Sequence, residues 1–140
     1  VKKSPNRADM IFMDERRDQY WAYTENFLRD LFGGLVVLDV ACGFGRFAKC
    51  FNPELYHGVD FSAEMLDIAG TENPDCSFFH EDAKNFVPPV EMNVIFEVNS
   101  LRSLGMTQQE FVDHYKQYAN MFVACIEADQ FCITPIYETR

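Results

Sequence analysis

Val37-Leu38-Asp39-Val40-Ala41-Cys42-Gly43-Phe44-Gly45-Arg46 is the stretch that decides the fold. One helix length later comes Tyr56-His57-Gly58-Val59-Asp60-Phe61-Ser62. The first is an apolar run interrupted by an acid and closed by two glycines. The second is an apolar run that ends in an acid. With a helix-compatible segment between them, they outline a nucleotide-binding βαβ unit. Glycines let backbone N–H groups pass close to a ligand. A carboxylate at the end of the second strand can hold a ribose diol.

Working outward, apolar residues recur at helical spacing from about Asp14 to Phe32 (Tyr20, Tyr23, Phe27, Leu28, Leu31), and Gly33-Gly34 ends that helix. Residues 1–34 are therefore read as a tail and helix that either packs on a sheet or forms a lid, with Tyr20, Trp21 and Tyr23 placed for either role. Leu35 to Val40 predicts a strand buried on both faces, and Gly45 to Phe51 a short helix stopped near Pro53. Tyr56 to Asp60 predicts the second strand. Ser62 is a good N-cap with Glu64 in the first turn, and the helix it opens runs to Gly70. Cys76 to His80 and Met92 to Val98 predict the third and fourth strands. Thr107-Gln108-Gln109-Glu110 is a capping-box pattern opening a helix that carries Phe111, Tyr115 and Tyr118. Phe122 to Ile126 predicts the fifth strand, and Gln130 to Ile136 reads as either a strand or an extended tail. Strands alternating with helices imply one α/β domain over residues 1–140: Rossmann-like, with a mostly parallel twisted sheet of about five strands and helices on both faces.

The chain has 140 residues, enough for one domain with a sizeable core, and fourteen Phe and six Tyr to fill it or to line a pocket. Its formal charge of −10 opposes binding to nucleic acid. Five scattered cysteines (Cys42, Cys50, Cys76, Cys125, Cys132), odd in number and never in C-x-x-C spacing, suggest neither a disulfide framework nor a metal site. No apolar run approaches a membrane span and no signal-peptide pattern appears, so a cytoplasmic protein is expected.

Gly43-x-Gly45-x-x-Ala48 meets the G-x-G-x-x-A dinucleotide fingerprint, which would suit a nicotinamide-dependent oxidoreductase. Asp39 argues otherwise. A carboxylate facing the ligand repels a pyrophosphate and favours an ammonium or sulfonium centre. Asp60 can then accept from both ribose hydroxyls, and Asp82, after the third strand, from an adenine amino group.

At this point the chain resembles the class I S-adenosylmethionine-dependent methyltransferases. Asp39-Val40-Ala41-Cys42-Gly43-Phe44-Gly45 is similar to their first motif and Gly58-Val59-Asp60-Phe61-Ser62-Ala63-Glu64-Met65-Leu66 to their second. Glu81-Asp82-Ala83 resembles the third, and Asn93-Val94-Ile95-Phe96-Glu97-Val98-Asn99 the fourth. The resemblance, over about residues 35–127, implies S-adenosylmethionine as cofactor. It places Asp39, Ala41, Gly43 and Gly45 along the methionine part, with Ala41 standing where the family usually has its first glycine. It places Asp60 on the ribose, Phe61 and Met65 beside the adenine, and Asp82 and Ala83 at the adenine edge. Glu97 and Asn99 would lie near the methionine end and the acceptor.

Methyl transfer from a sulfonium is an in-line displacement, and an oxygen or nitrogen acceptor can also need a base. Glu97 is preferred as that base over His80, His114 and Glu127. No Asn-Pro-Pro-Tyr or Asp-Pro-Pro-Tyr follows the fourth strand, which argues against a nucleic-acid substrate and for a small molecule. The family sheet normally ends in an antiparallel pair. A chain stopping soon after its fifth strand has a minimal sheet, is cut, or is completed by another chain, and an open edge there predicts a homo-oligomer. The alternative function is a cofactor-binding module without transfer activity of its own.

Overall fold

The computed structural model describes residues 21–137. A helix over residues 21–32 (α1) leads into β1 (Val37–Val40), all four residues of which are buried, as the unbroken apolar run requires. The chain continues through β2 (Tyr56–Asp60), α2 (Ala63–Glu72), β3 (Ser77–His80) and β4 (Met92–Val98). A one-turn helix α3 (Leu101–Leu104), α4 (Gln108–Tyr115), β5 (Ala119–Glu127) and β6 (Gln130–Pro135) complete it. The six strands form one sheet in the order β3-β2-β1-β4-β5-β6. The first five run parallel and β6 pairs antiparallel with β5.

Local chemistry sets the helix starts. The Ser62 hydroxyl accepts from Met65 N–H at 3.2 Å and Glu64 sits in the first turn of α2. At α4 the full capping box forms: Thr107 Oγ accepts from Glu110 N–H (3.1 Å), and Glu110 Oε1 accepts from Thr107 N–H (3.0 Å). The sheet separates two cores. Leu38, Val40 and Ile95 pack with Phe111, Tyr115 and Val123 on the face covered by α4. Val37, Tyr56 and Phe96 pack with Leu28, Phe32 and Phe51 on the face covered by α1.

Several expectations are corrected. The five expected strands form the parallel part of the sheet, and the segment left open between strand and tail is a sixth strand: Ala128-Asp129 turn the chain back, and Cys132 and Phe131 lie opposite Cys125 and Ile126. β6 is only half-buried, so it lacks the apolar run that reveals a covered strand. The edge expected at the fifth strand, from which self-association was inferred, is therefore filled by the chain itself. The helix expected from Gly45 to Phe51 is only a 3-10 turn over Ala48–Cys50, because the backbone at Gly43 and Gly45 is left-handed. α2 passes Gly70 and ends at Glu72, β5 begins three residues early at Ala119, and Tyr118 lies in the turn after α4. Tyr20 and the helix start near Asp14 lie outside the described residues. Among the described residues no helix is long and apolar enough to cross a membrane.

Candidate functional site

β1 lies between β2 and β4, so successive connections leave it in opposite directions. The crevice over the carboxyl ends of these strands is where an open α/β sheet takes its ligand. The loop leaving β1 is built around left-handed backbone at Ala41 (φ 61°), Gly43 (φ 58°) and Gly45 (φ 84°). Asp60, at the end of β2, ties this loop to the next. Gly43 N–H donates to its Oδ1 (3.1 Å) and Ser62 N–H to its Oδ2 (3.0 Å). A carboxylate has about four acceptor positions, so two donors leave capacity on both oxygens for a bound hydroxyl pair.

A cavity of about 390 Å³ opens here, lined by Ala41, Asp60, Phe61, Asp82 and Ala83, with Lys84 and Ser103 at its sides. Five of the residues singled out from the sequence therefore meet in one place. The Phe61 ring is 77 % exposed, a flat apolar surface at the cavity wall. Its backbone carbonyl lies 2.8 Å from His80 Nε2, which fixes the tips of β2 and β3 together. Asp82 Oδ1 accepts from Lys84 N–H (3.0 Å), and the Ala83 carbonyl accepts from the buried Tyr115 hydroxyl. Gly43 and Met65 stand just outside the lining: a Cβ built on Gly43 would lie 3.9 Å from Met65 Cε.

Other expected site residues are placed differently. Asp39 does not face the cavity. It is 2 % exposed, and the Tyr56 hydroxyl donates to its Oδ2 at 2.6 Å. Burial pushes the Asp39 carboxyl up to about 7, against the lowering effect of the Tyr56 bond. Asp39 was expected at a strand tip but lies inside β1, with Val40 still in register beside Glu97. Gly45 turns toward α2: a Cβ there would meet Asn73 Nδ2 at 3.0 Å and Ala69 Cβ at 3.4 Å. Its missing side chain serves helix packing. Glu97 is wholly buried, and its Oε1 accepts from Ser100 N–H (2.8 Å) and Ser100 Oγ (3.0 Å). It lines neither this cavity nor the next. Cys42 is buried and burial pushes its thiol well up, consistent with a packing role. His114 Nε2 lies 3.1 Å from the Phe86 carbonyl and its ring packs on Tyr115 and Tyr118.

Asn99 (φ 52°) is exposed at the tip of β4 and lines a second cavity of about 190 Å³ with Tyr23, Thr24, Glu127 and Phe131. Two partnerships escaped sequence reasoning. Tyr56 as the donor to Asp39 needed the β1–β2 pairing. Glu127 beside Glu97 was signalled weakly, since each acid lies at or next to the end of its strand and the two strands are neighbours. Trp21 packs edge-on against Phe47 (5.8 Å) under the Arg46 guanidinium (4.7 Å), which ties the start of α1 to the β1 loop.

A family model described as a methyltransferase domain matches residues 37–121. Trans-aconitate 2-methyltransferase of Escherichia coli is 29 % identical over 89 residues, a match covering 61 % of this chain and 32 % of that protein. Streptomyces venezuelae DesVI superposes with a TM-score of 0.67 at 22 % identity, over 88 % of this chain and 58 % of that one. A methyltransferase from Thiobacillus denitrificans, solved with S-adenosyl-L-homocysteine, gives 0.62 at 19 % identity, over 76 % and 47 %. The chain thus spans between 32 % and 58 % of the length of these relatives. The fold they share is the Rossmann-like α/β methyltransferase fold.

Proposed function

This chain belongs to the methyltransferase domain family, and we propose that it binds S-adenosylmethionine in the larger cavity and transfers the methyl group to a small-molecule acceptor. The observation that carries the reading is Asp60. Its two oxygens hold the Gly43 and Ser62 amides in place and face a cavity of nucleoside size. The group supplies, when bound, a methyl carbon made electrophilic by a sulfonium. The chain's own residues do the rest. Asp60 accepts from the ribose hydroxyls, Phe61 covers the adenine, and Asp82 with the Ala83 backbone reads its edge. Ala41 and Gly43 bring backbone close to the methionine part. Asp39 and Glu97 stand buried behind the rim, Asp39 accepting from the Tyr56 hydroxyl and Glu97 from Ser100 just after β4.

The net charge of −10 weighs against a nucleic-acid acceptor. Five free thiols suit a reducing compartment, and we place the protein in the cytoplasm. The test is calorimetric titration with S-adenosylmethionine and S-adenosylhomocysteine, and with NADH as control. Micromolar binding of the first two is expected, weakened about ten-fold or more by Asp60→Ala. Binding of NADH in their place would reverse the assignment. Turnover with any acceptor would separate an enzyme from a binding module.

A further inference from the structure

Neighbouring strands β4 and β5 both bring a glutamate to the carboxyl rim. Glu97 lies opposite Cys125, so Glu127 sits two residues further along the same face of β5. Glu97 is 0 % exposed. Its Oε1 is satisfied by Ser100, but its Oε2 is buried with no hydrogen-bond partner, and so is Oε2 of Glu127. The two carboxyls are close enough to interact, and two such buried oxygens cannot both be charged at tolerable cost. One shared proton satisfies both. Burial first, then Glu127, pushes the Glu97 carboxyl up to about 8. Among the described residues, the other titratable groups beside the pair are the Tyr23 phenol on α1 and the thiols of Cys125 on β5 and Cys132 on β6.

Glu127 also lines the 190 Å³ cavity, together with Tyr23 and Phe131, whose rings pack on each other with centroids 5.8 Å apart. Resting on the methyltransferase reading above, we propose that this cavity is the acceptor site, that it takes a protonated alkylamine, and that the Glu97–Glu127 pair removes the amine's proton through Glu127. A cavity whose lining joins a carboxylate to two aromatic rings suits a cation. No Lys, Arg or His lines the cavity among the described residues, so a carboxylate or phosphate acceptor would meet no counter-charge. Asn99, which lines it, caps the strand next to the one capped by Ala41, which lines the larger cavity. The two cavities therefore open over adjacent strand tips.

The pair begins with one proton and one negative charge. The ammonium gives a proton to Glu127, which leaves the pair neutral and the amine with a free lone pair. That lone pair forms the N–C bond as the C–S bond breaks, and the electrons of the broken bond go to sulfur. The positive charge passes from sulfur to nitrogen, and water then takes the proton from the pair. Glu127 is the group that touches the acceptor, and Glu97 is a positioning residue.

The test is equilibrium binding of benzylamine, benzyl alcohol and benzoate to the whole chain, each with and without S-adenosylhomocysteine. Methylation of the same three from methyl-labelled S-adenosylmethionine is followed in parallel. Benzylamine is expected to bind at least about ten-fold more tightly than either analogue, and Glu127→Gln to remove that advantage while S-adenosylhomocysteine binding persists. Glu97→Gln should keep benzylamine binding, since its amide donates to an ionised Glu127, yet change the pH profile of turnover. Benzoate or benzyl alcohol binding as well as benzylamine, or an unchanged Glu127→Gln, overturns the proposal. Loss of S-adenosylhomocysteine binding would overturn only the cofactor reading, because the amine arm is read without it. Should Glu127→Gln not fold, Phe131→Leu must weaken benzylamine several-fold; no weakening is a failure.

Discussion

Ala41 carries a methyl group where the backbone is left-handed, at φ 61°. For an L-residue that conformation costs roughly 1–2 kcal/mol. Ala41→Gly removes the strain but adds freedom to the unfolded chain, which returns about 0.4–1 kcal/mol. A net gain of about 0.5–1 kcal/mol is expected in urea unfolding. A loss would mean that the methyl group packs better than the strain costs. Asn99 shares the conformation (φ 52°), but its short polar side chain tolerates it, so Asn99→Gly should gain less. Asp39 makes a different prediction. Folding raises its pKa from 3.8 to about 7. Between those values the folded chain keeps a proton that the unfolded chain has lost. The Asp39 contribution to stability is therefore greatest at low pH and is lost as pH rises toward 7, on a scale of about 1.4 kcal/mol per unit. Glu97 adds a loss of the same sign up to about 8. Asp39→Asn should flatten part of the slope between pH 5 and pH 8 in urea unfolding. A slope equal to that of the wild type would mean that Asp39 is ionised in the fold.

The elements differ in how they are held. α4 has only eight residues, too few to persist alone, and relies on Phe111, Val112 and Tyr115 being buried and on its capping box. Thr107→Ala should cost about 1 kcal/mol in urea unfolding without touching either cavity. A cost near zero would show that packing alone starts the helix. α1 is held by burial rather than caps: Leu28 and Phe32 fill the core under β1. Leu28→Ala should cost about 2–5 kcal/mol, and a smaller cost would mean that the core collapses around the gap. These contrasts explain what was legible beforehand. β2 and β4 were read to the residue because an apolar run, an acid or a turn marks each end. The 3-10 turn after β1 was overread as a helix, because the left-handed backbone at two glycines does not appear in a periodicity. β6 stayed ambiguous because an edge strand half-exposed on both faces has no clean alternation. That Asp60, Phe61, Asp82 and Ala83 meet was legible because strand ends deliver them to one rim. The burial of Asp39 was not legible for want of its partner, since the Tyr56 hydroxyl that bonds it is seventeen residues away.

At the scale of the molecule the sheet divides the labour. Its β3-β2-β1 half carries the larger cavity, and its β4-β5-β6 half, with α1, carries the smaller one. The first half was written in local motifs, whereas the second depends on side chains brought together from α1, β4, β5 and β6. The formal charge of −10 acts on both halves at long range. It favours the approach of a cation and opposes that of an anion, over a distance that added salt shortens from about 30 Å at 0.01 M to about 10 Å at 0.1 M. If the acceptor is an alkylammonium, its affinity should fall several-fold between about 20 and 300 mM sodium chloride. S-adenosylhomocysteine carries no net charge near neutrality, so its affinity should move much less over the same range. Titration of benzylamine and S-adenosylhomocysteine at both salt concentrations checks the pair. An amine affinity insensitive to salt would mean that the rings of Tyr23 and Phe131 hold the ligand by burial alone, and that Glu127 is uncharged when it binds.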